Sequence, residues 1–274
     1  MTIPDQGSSS NSGEGIILSN LGCTRGGRKI LSRINLEIEP ATFTALMGPS
    51  GCGKSTLLKT IAGIYARDGG SLKFKFSETE GGSETEGRIA YVPQDDQLYL
   101  SLSVLSNLEY YGKLKVPCPP DGKQEWYGRR ALEVCRSLGL GAVTNQKVST
   151  LSGGQKKRVS LGLELITAPS LLLLDEPTSG LDPATEKEIM SLLRAISRRG
   201  TTIFMTTHCT DSLALTDSIC LLKDGLLVFH GPENRALTWF KAGNWEELFA
   251  CLKGQKALDL ENRFRTGKSE GVAK

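Results

Sequence analysis

Residues 48–56 read GPSGCGKST: a glycine, four residues, a second glycine, then lysine and serine. That is the spacing of a phosphate-binding loop. Gly48, Gly51 and Gly53 let backbone N–H groups turn inward, because glycine accepts backbone angles that a side chain forbids. Together with Pro49, Ser50, Cys52 and Thr56 they would surround the phosphates. A helix opening near Lys54 adds the positive end of its dipole. Lys54 is expected to reach the β- and γ-phosphates, and Ser55 to hold Mg²⁺. Further on, the four leucines of residues 171–174 run straight into Asp175 and Glu176. Asp175 at a strand end can join the Mg²⁺ shell. Glu176, one residue later, can orient or deprotonate a water beside the γ-phosphate. Phosphoryl transfer is mostly positioning and charge neutralisation, so these parts are sufficient for a nucleoside triphosphatase. A third stretch, LSGGQ at 151–155, places Ser152, Gly153 and Gly154 at a predicted helix start, a second anion site made of free N–H groups.

Those residues need rigid supports. The extended run TFTALM (42–47) precedes the loop, and Leu57, Leu58, Ile61 and Ala62 follow at helical spacing. This is the strand–loop–helix context that the loop pattern requires. A short, wholly apolar run such as 171–174 suits a central parallel strand covered on both faces. Thr202–Thr206 (TIFMT) reads as another. Residues 185–198 carry Ile189, Leu192, Leu193 and Ile196 on one helical face. Strands alternating with helices predict a parallel α/β sheet. Near the start, Ile16, Ile17 and Leu18, then Ile30 and Leu31, then Ile34, Leu36 and Ile38 predict short antiparallel strands. Residues 72–76 alternate as a strand, and 77–87 (SETEGGSETEG) read as an acidic hairpin loop with 88–93 as the returning strand. Residues 103–168 read as mostly helical, broken at 116–122 (VPCPPDG). Residues 218–222 and 226–229 flank a hairpin turn at Lys223, Asp224 and Gly225.

Composition bounds the rest. The chain has 274 residues, 39% of them hydrophobic and 23% charged, the proportions of an ordinary globular protein. A net charge of +3 gives no basic face for nucleic acid, and no nucleic-acid partner is expected. Seven cysteines are scattered without a CxxC pair, and there are two histidines. A zinc site is disfavoured and a reducing compartment fits best. No apolar run approaches the length that spans a bilayer. The first fifteen residues are rich in Ser, Gly and Asn, are expected to be disordered, and lack the features of a secretory signal. Residues 251–274 read as a polar tail or linker, most simply a frayed helix.

Taken together, GPSGCGKST, LSGGQKKRVS and LLLLDEPTSGLD resemble the ATP-binding-cassette (ABC) ATPase family, over about residues 16–240. The resemblance implies an α/β fold: a P-loop NTPase cassette with a RecA-like parallel-sheet core, an antiparallel β subdomain and an inserted α-helical subdomain. The cassette would span 16–250, with the helical part at about 95–168. The resemblance implies ATP and Mg²⁺ as ligands and assigns further residues. Gln94 (YVPQDD) takes the Q-loop place, a Mg²⁺ and water contact that also faces a membrane partner. Ser152, Gly153, Gly154 and Gln155 form the signature, which in the family closes on the γ-phosphate held by a second cassette. Asp182 (SGLD) lies in the loop bridging the two sites. His208 takes the place of the histidine that contacts the γ-phosphate. Lys54, Glu176 and His208 are the implied catalytic residues, and Ser55, Gln94 and Asp175 the implied metal contacts. Arg25 stands where the family usually stacks the adenine on an aromatic ring, which predicts weaker base selectivity.

SGGQKKRVSLGLELI, DEPTSGLD and LLVFHGPENRALTWF resemble the G-type branch of lipid, sterol and pigment exporters. That implies a transport ATPase that dimerises around two ATP, as homo- or heterodimer, at the cytoplasmic face of a membrane. It would drive export of a hydrophobic or lipid-like substrate through a transmembrane permease domain or subunit. The alternative is a soluble cassette acting on ribosome or DNA. Such relatives usually carry two cassettes or a long coiled coil, and this chain has one cassette and no heptad run. A GTPase is disfavoured by the absence of an NKxD motif, and an inactive regulatory module by the presence of Lys54, Asp175, Glu176 and His208.

Overall fold

The computed structural model describes residues 14–76, 89–117 and 125–269. Among them the strands are β1 (Glu14–Arg25), β2 (Arg28–Ile38), β3 (Phe43–Met47), β4 (Gly69–Phe76), β5 (Ile89–Val92), β6 (Leu171–Asp175), β7 (Thr202–Thr206), β8 (Ser218–Lys223) and β9 (Leu226–Gly231). The helices are α1 (Lys54–Ile61), α2 (Val104–Lys115), α3 (Trp126–Ser137), α4 (Gly153–Leu165), α5 (Pro183–Ser197), α6 (Glu233–Phe240), α7 (Trp245–Gly254) and α8 (Ala257–Ser269).

The larger sheet has the order β5-β6-β7-β3-β8-β9. Its pairs are parallel from β5 to β8, and only the β8–β9 hairpin is antiparallel. The side chains of β6 show why the leucine run had to lie inside. Leu171 and Leu173 enter the core shared with α1 and the antiparallel sheet, while Leu172 and Leu174 enter the one shared with α2, α3 and α4. Successive strand residues face opposite sides, so a strand buried on both must be apolar throughout. β7 divides likewise, Phe204 to one side and Ile203 and Met205 to the other. Because β3, β5, β6 and β7 are parallel, their C-terminal ends share one edge. That edge is where open α/β sheets bind ligands.

The smaller sheet, β2-β1-β4, is antiparallel. Its strands are long rather than short. Buried positions on β1 run Ile16, Leu18, then Leu21, Cys23; on β2 they run Leu31, then Ile34, Leu36, Ile38. In each strand the parity changes once. The pairing absorbs this with register shifts between Leu18 and Leu21 and between Leu21 and Cys23, beside the positive-φ residues Asn20 and Arg33. An extra residue in one strand flips the side that later residues face, which here keeps Leu21, Cys23, Leu31 and Ile34 inward together with Ile16, Leu18, Leu36 and Ile38.

Three further expectations are corrected. β1 starts at Glu14, so Glu14 and Gly15, read as part of a disordered segment, belong to a strand; residues 1–13 lie outside the described residues. β5 does not return to β4. β4 pairs with β1, whereas β5 lies parallel to β6 in the other sheet, so the two strands are joined by a crossover between sheets. The acidic stretch 77–87 falls outside the described residues, as does most of the 116–122 breaker. Finally, residues 251–269 are not a polar tail or a frayed end. They complete α7 and form α8, whose Ala257, Leu260 and Phe264 are buried at helical spacing, in the same core as Phe229 of β9. Glu261 lies on that same stripe, 2% exposed, and pairs with Arg33 of β2 at 2.7 Å and with Arg265 at 3.4 Å.

Candidate active site

The loop between β3 and α1 brings Gly48 against the end of β8. A methyl carbon at Gly48 would lie 2.1 Å from the Leu222 carbonyl oxygen, so only glycine fits. Gly53, at φ 108°, is the N-cap of α1 and supplies no side-chain cap to its first turn. The N–H groups of that turn, which belong to Lys54, Ser55 and Thr56, are therefore available to an anion. Lys54 is 6% exposed, and its Nζ donates to the carbonyls of Gly48 at 2.9 Å and Pro49 at 3.2 Å. The ammonium is folded back over the loop it belongs to. Gly225 in the β8–β9 turn donates its N–H to the Cys52 carbonyl at 3.0 Å, bracing the loop from outside.

The C-terminal strand edge collects the acids. Asp175, at the end of β6, is 3% exposed. Its Oδ1 accepts hydrogen bonds from Ser55 Oγ at 2.9 Å and Thr206 Oγ1 at 2.8 Å, and its Oδ2 accepts one from Tyr91 OH at 3.2 Å. Burial, reinforced by the Asp175 charge, pushes the Tyr91 phenol well above its ordinary value, so it stays protonated and donates. Glu176 follows at φ 50°. Its carboxylate lies between two of the expected partners: Gln94 Nε2 is 3.2 Å from Oε2, and His208 Nε2 is 2.7 Å from Oε1. Gln94 comes just after β5 and His208 just after β7, so the parallel strands bring Gln94 beside Glu176, 82 positions away in sequence, and His208 onto the same carboxylate.

The signature residues form the start of α4. Ser152 is the N-cap; its Oγ accepts from Gln155 N–H, and Gln155 Oε1 accepts from Ser152 N–H, a complete capping box. Gly154 packs so closely on α5 that a methyl carbon there would lie 2.4 Å from Thr185 Cγ2. Asp182 caps α5, accepting from Ala184 N–H, Thr185 N–H and Thr185 Oγ1. Those bonds, the Thr185 hydroxyl first, hold its carboxyl below the usual range. Among the described residues no hydrogen bond joins Ser152–Gln155 to the Lys54, Asp175 and Glu176 group.

Arg25 is exposed at the end of β1. Its guanidinium lies 4.0 Å over the Tyr65 ring, a cation–π contact that occupies one of its faces. Three contributors escape motif reading. Thr206 and Tyr91 hold Asp175, and Lys157 of α4 donates to the Gln94 carbonyl at 2.8 Å and pairs with Asp96 at 3.3 Å. The available signal was a polar group inside an apolar strand, in TIFMT and in IAYV, because such groups need partners.

The described cysteines are free thiols, and no helix among the described residues is long and apolar enough to cross a membrane.

Known proteins match both the sequence and the fold. A family model described as ABC transporter matches residues 31–179, more than half of the chain. The chain is 35% identical over 244 residues to ABC transporter G family member 1 of Dictyostelium discoideum, covering 86% of this chain and 30% of that protein. It is 36% identical over 225 residues to the broad substrate specificity ATP-binding cassette transporter ABCG2 of Mus musculus, covering 80% of this chain and 34% of that one. It thus spans about a third of the length of these relatives. Among solved structures, the dimeric ATP-binding cassette MJ0796, in a post-hydrolysis state bound to ADP and Pi, superposes with a TM-score of 0.67 at 30% identity, covering 79% of this chain and 98% of that one. With a phosphate loop, an acid-ended strand and a glutamate flanked by glutamine and histidine on one sheet edge, the chain belongs to the ABC transporter family, as its ATP-binding, ATP-hydrolysing cassette.

Proposed function

We propose that this cassette pairs with a second one around two ATP and that the pair drives a membrane-spanning partner. The observation that carries this reading is the Glu176 carboxylate, set between Gln94 and His208 beside the Ser55–Asp175 pair. Gly48, Pro49, Ser50, Gly51, Cys52 and Gly53 wrap the phosphates, and the first-turn N–H groups through Thr56 point at them. Lys54 leaves its loop carbonyls for the β- and γ-oxygens.

Ser55 and Asp175 fit Mg²⁺. They offer a hydroxyl and a carboxylate oxygen 2.9 Å apart, and Mg²⁺ is commonly bound by one or two protein oxygens, with phosphate and water completing the shell. When bound, the ion neutralises charge on the β- and γ-phosphate oxygens. Gln94 adds a contact to the ion and the water. Glu176 orients the attacking water and takes its proton. His208 holds the glutamate and contacts the γ-phosphate. Ser152, Gly153, Gly154 and Gln155 of the second cassette close the far side, with Asp182 in the stretch that links the two sites.

The G-family names of the relatives support a G-type exporter, with the cassette on the cytoplasmic face and a hydrophobic or lipid-like cargo read by the partner. Glu176→Gln tests the reading. It should lower phosphate release by about 100-fold or more, preserve ATP binding, and yield a stable dimer on size exclusion. Wild-type turnover in that variant rejects Glu176 as the base.

A further inference from the structure

Thr206 is the last residue of β7 and has no exposed surface. It faces Asp175 across the parallel β6–β7 ladder. Its hydroxyl is used in both directions: it donates to Asp175 Oδ1 at 2.8 Å and accepts the backbone N–H of Glu176, also at 2.8 Å. Glu176 needs such a hold. At φ 50° it occupies the left-handed region, which a side-chain-bearing residue keeps only when its surroundings fix it.

We propose that Thr206 is a positioning residue for hydrolysis, one hydroxyl that sets the Asp175 carboxylate and the Glu176 backbone relative to each other. This rests on the reading of Asp175 and Glu176 given above. Without the hydroxyl, the Glu176 N–H loses its β7 acceptor. The backbone can then relax out of the left-handed region and carry the carboxylate away from Gln94 and His208. Asp175 Oδ1 would keep Ser55 alone. Tyr91 offers an internal contrast: it holds the other oxygen of Asp175 and has no bond to Glu176.

The test uses the full chain with Thr206→Val, which keeps the volume and β-branch, and Thr206→Ser, which keeps the hydroxyl. Turnover, KM for ATP, and binding of a fluorescent ATP analogue across a Mg²⁺ titration are measured for each. Thr206→Val should lose about 30-fold in kcat, with metal-free nucleotide affinity within about twofold of wild type. The Mg²⁺ concentration needed for half-maximal enhancement of binding should rise about threefold or more. Thr206→Ser should recover kcat to within about threefold. Tyr91→Phe should raise the Mg²⁺ requirement while costing less in kcat than Thr206→Val. The inference is overturned if Thr206→Val keeps wild-type kcat or Mg²⁺ requirement, or if serine does no better than valine. Should the valine variant fail to fold, Thr206→Ser decides alone, since a loss of tenfold or more there assigns the role to the methyl group. Glu176→Gln is the parallel arm. Full turnover in it defeats the reading of the acidic pair, whereas its loss beside an unaffected Thr206→Val defeats this inference only.

Discussion

Two helices in this protein open beside glycines, and they are finished differently. α1 begins at Gly53, in a left-handed conformation and without a side-chain cap, and its ammonium is folded onto the loop carbonyls. α4 begins at Ser152 with a complete capping box. An uncapped helix start leaves donors whose best partner is an incoming anion. A capped start is stable alone and leaves only part of its N–H array for a visitor. The difference supports the proposed division of labour, in which α1 would grip nucleotide within its own chain and α4 would meet a nucleotide held by a second cassette.

Lys54→Ala strikes the α1 side hardest. It should weaken nucleotide binding by about 10- to 100-fold, read by equilibrium titration; unchanged affinity would break the comparison outright. Gly154→Ala strikes the other start. The added methyl drives Thr185 off its bond to Asp182, and turnover should fall by about tenfold while nucleotide affinity at the chain's own loop stays within about twofold. A parallel loss of affinity would mean that the two starts serve one nucleotide. Ser152→Ala should cost about 1 kcal/mol through the lost cap, seen as a melting temperature lower by about 2–4 °C. The smallest effect concerns Asp182. Its carboxyl is held below the ordinary range, so it adds stability above the unfolded-state pKa, and that stability is lost as pH falls through the folded value. Asp182→Asn keeps a capping side chain and removes the titration, so its melting temperature should fall less than wild type's between pH 5 and 3.

The residues proposed to contact phosphate could be picked out as motifs because phosphate binding imposes local spacing. Gly48 to Thr56, Ser152 to Gln155, and Asp175 with Glu176 are each consecutive in sequence. Leu171–Asp175 was legible as a central strand because burial on both faces leaves no room for alternation. β5 was not legible as a crossover, because its choice of β6 over β4 depends on long-range pairing that a short alternating run does not encode. Thr206 and Tyr91 were missed because a hydroxyl in a strand announces a partner without naming it. α8 was missed for a related reason. Glu261 reads as solvated until Arg33, 228 residues away, is placed beside it. Charged residues are rarely buried unless paired, so the stripe around Leu260 and Phe264 looked interrupted.

The Arg33–Glu261 pair ties one of the first strands to the last helix, and the apolar side of α8 covers β9. A chain emerging from the ribosome therefore leaves the α8 side of Phe229 uncovered until nearly all the described residues have been synthesised, even after Trp239 of α6 has packed on it. Closure of that lobe is a late event with a large loop to gather, the kind of step that slows folding and invites chaperone capture. Shortening the chain before Ala257 would leave the same surface permanently open, turning a transient liability of synthesis into a standing one.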